Sequence, residues 1–343
     1  MIPTLSSIYG RATSWRRRWY GGDPSRQRRL SRPVISVGNL SVGGSGKTPI
    51  AAHVAKLLVD AGERPAILTR GYARRRPSEG TTVVSDGKRV IADVEAAGDE
   101  PLLLARMLPG VPVLVGADRY LSGRLAEARF GATVHLLDDG FQHLELARDI
   151  DLLLAGEDEL TDSPMPSGHL REPTSAAAAA DAVLVSAGYA TASDRIARAL
   201  GVPVAFRVTR ALGVPRRIAE PHDTVVVPSA SRVCVVAAIA RPERFVADVI
   251  SAGWDVVETM TFRDHHWFSA ADIARIAARA RAAGSSIVLT TEKDAVRFEP
   301  CDLGEMPIAS VPLIVGVEPA DRFRDWLLER LQAAGRAAAS GGQ

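Results

Sequence analysis

The run Val34-Ile-Ser-Val-Gly-Asn-Leu-Ser-Val-Gly-Gly-Ser-Gly-Lys-Thr48 constrains this chain more than any other segment: an apolar strand empties into a glycine-rich loop that ends in Gly46-Lys47-Thr48 and opens a helix. Consecutive backbone N–H groups of such a loop turn inward around phosphate oxygens, and the following helix aims its positive end at the anion. The order predicts a nucleoside triphosphate site built from Ser41, Val42, Gly43, Gly44, Ser45, Gly46, Lys47 and Thr48. Lys47 would reach the outer phosphates and the Thr48 hydroxyl would be offered to Mg²⁺. The usual loop carries glycine where Ser41 stands, and here a glycine lies further back at Gly38. Gly43, Gly44 and Gly46 still supply the permissive backbone.

Short apolar runs recur with helical stretches between them, at 33–37, 66–69, 113–115, 133–137, 150–154 and 182–186, which is the signature of a mostly parallel sheet wrapped by helices. The first helix is expected from Thr48 to about Ala61, with Pro49 in the tolerated first turn and Gly62 as a stop. With 343 residues the chain has room for two domains of ordinary size. We expect a nucleotide-binding α/β domain over 31–203 and a β-type linker over 204–230, where the pattern loosens into short strand-prone runs. A second α/β domain follows over 231–332, with strands at 232–239, 286–290 and 312–315. Its helices run over 242–251 and from a capping box at Ser269-Ala-Ala-Asp272 to about Ala283. The alanine, glycine and serine tail 333–343 is expected to fray.

The net charge of +2 hides an uneven distribution. Arg11, Arg16, Arg17, Arg18, Arg26, Arg28, Arg29 and Arg32 crowd the first 30 or so residues, interleaved with Tyr9, Trp15, Trp19 and Tyr20, and opposed by Asp23. As a helix, this segment would carry Ile8, Ala12, Trp15 and Trp19 on one side, a pattern suited to an anionic membrane surface. A solvated basic arm is the plainer reading. Nucleic acid would attract the same arginines, but no recognition module accompanies them and none is expected as a partner. No apolar span reaches transmembrane length, since the alanine-rich stretch from Ser175 is cut by Asp181. Arginines also follow the N-terminus too soon for a signal-peptide core. Cys234 and Cys301 lack paired spacing, so neither a disulfide framework nor a zinc site is implied, and a reducing cytoplasmic setting fits.

Phosphoryl transfer needs a held triphosphate, Mg²⁺, and an acceptor hydroxyl relieved of its proton. Asp138-Asp-Gly-Phe-Gln-His143 closes a strand with two acids, and ligands of α/β sheets gather at carboxyl ends of strands. Asp138 or Asp139 is therefore expected near Mg²⁺, with Gln142 and His143 toward the acceptor. Asp99, in Gly98-Asp-Glu-Pro101, is by propensity a helix N-cap. Asp264-His265-His266 offers histidines suited to proton handling, though spacing does not bring them to Asp99. Glu172 and Arg171 share a loop. Thr291, Lys293 and Asp294 end a strand and can contact the nucleotide. Arg70 and Arg119 are cations at strand ends suited to an anionic acceptor.

Taken together, Ser36-Val-Gly-Asn-Leu-Ser-Val-Gly-Gly-Ser-Gly-Lys-Thr-Pro49, Thr69-Arg-Gly-Tyr72, Gly98-Asp-Glu-Pro101, Asp138-Asp-Gly-Phe-Gln-His143, Leu170-Arg-Glu-Pro173, Asp264-His-His266 and Thr291-Glu-Lys-Asp294 make the chain resemble the tetraacyldisaccharide 4′-kinases of lipid A biosynthesis. The resemblance spans most of the chain, and Ser41 is the family's form of its loop position. It implies a P-loop kinase-like parallel-sheet lobe and a smaller α/β lobe joined by a β-strand linker. It further implies transfer of the ATP γ-phosphate to the 4′-hydroxyl of a tetraacylated glucosamine disaccharide 1-phosphate, on the cytoplasmic face of the inner membrane. Carried over by motif, Asp99 acts as base in a dyad with His265. Lys47 and Thr48 serve ATP and Mg²⁺, and Asp138, Asp139 and Glu172 join the metal and catalytic shell. The chain departs from the family at Ala240-Arg-Pro-Glu243, where Gly-Asn-Pro-Glu is common. A GTPase of the nucleotide-switch or metallochaperone class is the alternative, although Thr291-Glu-Lys-Asp294 lacks the asparagine of a guanine-reading loop.

Overall fold

A strand covered on both faces needs no polar alternation, and the segment ahead of the glycine-rich loop has none: all of Val34–Asn39 is buried. In the computed structural model, which describes all residues except 1, 44–45, 73, 187–189, 219–222, 299–300, 304–306 and 341–343, this segment is the first strand. The strands of the first two-thirds are β1 (Val34–Asn39), β2 (Pro65–Thr69), β3 (Thr82–Asp86), β4 (Pro112–Val115), β5 (Val134–Asp138), β6 (Ile150–Ala155), β7 (Ala182–Val185) and β8 (Ala205–Leu212). They are followed by β9 (Arg216–Arg217), β10 (Arg232–Ala237), β11 (Asp255–Thr261), β12 (Ile287–Thr291), β13 (Ile308–Val311) and β14 (Leu313–Glu318). The helices are α1 (Ile2–Gly21), α2 (Lys47–Asp60), α3 (Val94–Ala97), α4 (Asp99–Met107), α5 (Arg119–Phe130), α6 (Asp158–Thr161), α7 (Ala190–Leu200), α8 (Pro242–Ser251), α9 (Ala270–Ala282), α10 (Glu292–Phe298) and α11 (Ala320–Ser340).

A nine-stranded sheet in the order β14-β8-β7-β6-β1-β5-β2-β4-β3 forms the large lobe, parallel except for its two edge strands. Successive connections leave β1 toward β2 and β4 on one side and toward β6, β7 and β8 on the other, so the glycine-rich loop sits at the point where the order reverses. Ligands of open α/β sheets bind at that crevice. A five-stranded sheet, β11-β10-β12-β13-β9, forms the small lobe. Ser269 caps α9 through the anticipated box with Asp272.

Three expectations need correction. The tail does not fray from residue 333, because α11 continues to Ser340. The stretch after residue 204 does not begin as a free linker, because β8 pairs in parallel with β7 inside the large sheet. Nor does the second lobe run to residue 332. The chain leaves the small sheet after Val311, and β14 returns to pair antiparallel with β8 in the large one. There α11 buries Phe323 and Leu327 in the large lobe's core. The two passages between lobes are tied where Gly213 N donates to the Pro312 carbonyl at 2.8 Å.

Candidate active site

The loop after β1 turns into α2 through Gly46, whose φ of 83° is left-handed backbone that glycine adopts without a Cβ penalty. At Gly38 the need is space: a Cβ would lie 2.4 Å from that of Phe141, so only glycine lets the turn after β5 close onto β1. This contact brings the paired acids to the loop. Lys47 Nζ donates to Asn39 Oδ1 at 2.9 Å and stands 3.5 Å from Asp139. The Thr48 hydroxyl donates to Asp138 Oδ2 at 3.3 Å. Gly44 and Ser45 lie outside the described residues. Ser41 is turned inward, its hydroxyl donating to Glu159 at 2.9 Å.

The two acids face different surroundings. Asp138 is buried with Oδ1 unpartnered; burial, followed by the charges of Glu100 and Asp139, raises its pKa above the usual carboxylate range. A carboxyl so placed favours the approach of a cation. Asp139 is also pushed upward by burial, but Lys47 and Arg171 overcome that and hold it at about 2. Arg171 grips both its oxygens, at 2.7 and 2.9 Å.

The third acid is placed otherwise than expected. Glu172 takes the guanidinium of Arg17, from α1, on both oxygens at 2.6 and 2.8 Å and does not line the cleft. Its position joins the N-terminal helix to the lobe and sets it apart from Thr48 and Asp138.

Asp99 is not an N-cap. Gly98 occupies that position, and Asp99 opens α4 with its side chain turned toward the small lobe. Asp99 Oδ2 lies 2.9 Å from His265 Nδ1, 3.1 Å from Arg297 and 3.9 Å from Lys293, joining residues 166 positions apart. Burial acts to raise the Asp99 pKa, but the hydrogen bond to His265 and the charges of Lys293 and Arg297 bring it to about 2. His265 itself has a φ of 61°, a conformation that costs a non-glycine residue on the order of 1–3 kcal/mol and persists only where its surroundings enforce it. Lys293 also pairs with Glu100 at 3.0 Å and with Asp264 at 3.5 Å. Burial opposes its charge, but Glu100, Asp99 and Asp264 prevail and raise its pKa.

His265 and Lys293 share one cleft of ≈ 2140 Å³ between the lobes with Lys47, Thr48 and Asp138, lined also by Arg70, Arg119, Gln142, His143, Arg171 and Thr291, and Asp99 meets it through His265. Arg119 is 5% exposed, and burial followed by repulsion from Arg70 lowers it to about 10, so it stays cationic at neutral pH. His143 is held neutral, its pKa lowered to about 3 by burial and then by Arg119 and Arg148. Its Nε2 and Gln142 Oε1 are buried without partners. Thr291 lines the cleft with its hydroxyl donating to Asp294, whereas Asp294 is turned inward and also accepts the Ala238 N–H at 3.0 Å. Sequence reasoning passed over Asn39, Glu159 and Arg297. Arg297 lies four positions after Lys293 on α10, and that spacing on one helix face was the available signal.

The family model described as tetraacyldisaccharide-1-P 4′-kinase matches residues 1–332. The tetraacyldisaccharide 4′-kinase of Syntrophus aciditrophicus is 34% identical over 97% of this chain and 93% of its own length, and that of Geobacter metallireducens is 38% identical over 88% of each. Among solved structures, LpxK from Aquifex aeolicus in complex with ATP superposes with a TM-score of 0.75 at 30% identity, over 96% of this chain and 98% of that one. The chain belongs to the tetraacyldisaccharide 4′-kinase family.

Proposed function

We propose that the chain transfers the γ-phosphoryl group of ATP to the 4′-hydroxyl of a tetraacylated glucosamine disaccharide 1-phosphate, forming lipid IVA. The observation that carries this reading is the Asp99–His265 contact across the lobes, whose His265 lines the same cleft as Lys47, Thr48 and Asp138. Lys47 meets the outer phosphates. Thr48 and the unpartnered Asp138 Oδ1 suit Mg²⁺, which characteristically keeps water and substrate phosphates among its ligands and needs only one or two protein oxygens. Bound there, Mg²⁺ would offset charge on the transferring phosphate. The Asp99–His265 pair receives the proton of the acceptor hydroxyl. Arg70 and Arg119 attract the anionic lipid head, while neutral His143 and Gln142 offer hydrogen bonds to sugar hydroxyls. The GTPase alternative is set aside by the family match and by the inward-facing Asp294.

Helix α1 supports a peripheral membrane association. Leu5, Ile8, Trp15 and Trp19 are exposed on one helical face, flanked by Arg11 and Arg18, while Ser6 and Gly10 pack inward and Arg17 seats on Glu172. That arrangement fits a helix lying in an anionic interface on the cytoplasmic side of the inner membrane. Among the described residues no helix is long and apolar enough to cross a membrane.

Incubating the protein with labelled ATP and the tetraacyl disaccharide 1-phosphate in detergent tests the reading. A bis-phosphorylated lipid is expected. Absence of product with active nucleotide binding would sink it.

A further inference from the structure

Arg297 heads the largest fully buried side chains of the protein, yet it fills no apolar gap. Its guanidinium reaches the backbone carbonyl of His265, Nδ1 of the His265 ring at 3.2 Å and Oδ2 of Asp99 at 3.1 Å. Behind it the Trp267 ring lies 5.0 Å from the guanidinium carbon, and Trp267 packs on the core of the large lobe.

These distances fix proton positions. A guanidinium only donates, so its N–H and a protonated Nδ1 cannot satisfy one another. Asp99 Oδ2 accepts from both, being 2.9 Å from Nδ1 and 3.1 Å from Arg297. An ionised Asp99 therefore sets a proton on Nδ1, so that in the neutral imidazole the lone pair is on Nε2. The nearest acid to Nε2 is Asp264, at 3.7 Å, beyond hydrogen-bond reach. The bond to the His265 carbonyl acts on the same residue from its other side, holding a left-handed backbone that is uncommon for residues other than glycine.

We infer that Arg297 is a positioning residue for phosphoryl transfer: by gripping the His265 carbonyl and sharing Asp99 Oδ2 with the ring, it fixes the imidazole tautomer and the seat of the dyad where the lobes meet. It does not line the cleft and acts through His265. Arginine suits the position because its planar fork sets one nitrogen on the carbonyl and the other on the carboxylate in fixed geometry, whereas an ammonium offers its donors from a single, freely rotating nitrogen.

The rate arm of the test rests on the kinase reading, and the spectroscopic arm does not. The protein is labelled with ¹⁵N-histidine, and the His265 resonances among the seven histidines are assigned with His265→Gln. Wild type is expected to show the Nδ1–H tautomer. Arg297→Met and Arg297→Lys are expected to show a mixture of tautomers. Their kcat should fall by about 10²-fold, as for a displaced catalytic group, with KM for ATP unchanged. Should Arg297→Met fail to fold, Arg297→Lys carries the test, since it keeps the charge and loses the fork. A folded variant that retains the wild-type tautomer overturns the inference, whatever its rate. A shifted tautomer in a protein that phosphorylates no lipid supports the hold of Arg297 on the ring while refuting the kinase reading.

Discussion

Replacing Asp99 with asparagine removes one charge while keeping the shape and one acceptor oxygen, at a side chain only 2% exposed. At an effective dielectric of about 20, a unit pair 3.1 Å apart, as Asp99 and Arg297 are, attracts by about 5 kcal/mol before desolvation is counted. Desolvation offsets much of that. The net effect appears in the folded carboxyl, which burial pushes up and the cations bring down from 3.8 to about 2. At about 1.4 kcal/mol per unit, the difference is worth about 2–3 kcal/mol. Removing one partner of a buried pair typically costs about 3–5 kcal/mol, and asparagine's remaining acceptor argues for the lower figure. Because the folded pKa is depressed, this stabilisation is complete above the unfolded value of 3.8 and disappears as pH falls toward about 2. Urea unfolding of wild type and Asp99→Asn should thus show a constant gap at pH 7 and pH 5 and a smaller one below pH 4. Turnover at pH 7 should drop by about 10²–10⁴-fold if the carboxylate takes part in proton transfer. Equal stability at pH 7, or a gap that widens on acidification, would refute the reasoning.

Three other outcomes are expected. Lys47→Ala should leave the fold intact and cut turnover by about 10²–10³-fold, as for a lost electrostatic stabiliser; a near wild-type rate would remove the loop from the ATP site. Asp138→Asn should raise the Mg²⁺ concentration needed for half-maximal rate while barely changing KM for the lipid, and an unchanged Mg²⁺ requirement would place the metal elsewhere. Trp15→Ser with Trp19→Ser should weaken sedimentation with anionic liposomes and raise the apparent KM for lipid alone; pelleting equal to wild type at matched ionic strength would locate membrane attachment on another surface.

The buried parallel strands are legible in the sequence because a strand covered on both faces is written as a local apolar run, and β1, β5 and β6 are buried throughout. The half-covered strands are not. In β8, Arg207 and Arg210 interrupt the pattern because part of that strand faces the cleft and its neighbour is an edge. In β11 a single residue is buried, and the run resembles a loop. The run from Leu313 is visibly a strand, but composition says nothing about which of two sheets will receive it. That choice was made by an antiparallel register with β8, about a hundred residues earlier in the chain.

The same division runs through the site. Lys47, Thr48 and the acids after β5 are readable because one turn and one strand end position them, and the fit of Gly38 against Phe141 is a local consequence of glycine. Asp99 looked like a helix cap because its partners lie on another lobe, 166 and more residues away. A charge whose partner is remote reads as a surface charge, and burial alone reverses that reading. Arg297 shows this most plainly: a fully buried arginine, costly without an acceptor, implies an acid in place to meet it. Because Asp99 comes from the large lobe and Arg297 with Lys293 from the small one, the ion pairs that stabilise the approach of the lobes are the same ones that assemble the dyad. Any separation of the lobes therefore disassembles the Asp99–His265 pair, leaving the phosphate loop and Asp138 intact on the large sheet. Under the proposed mechanism, triphosphate binding would then persist in a state without an acceptor for the hydroxyl proton, which would make closure a condition for transfer.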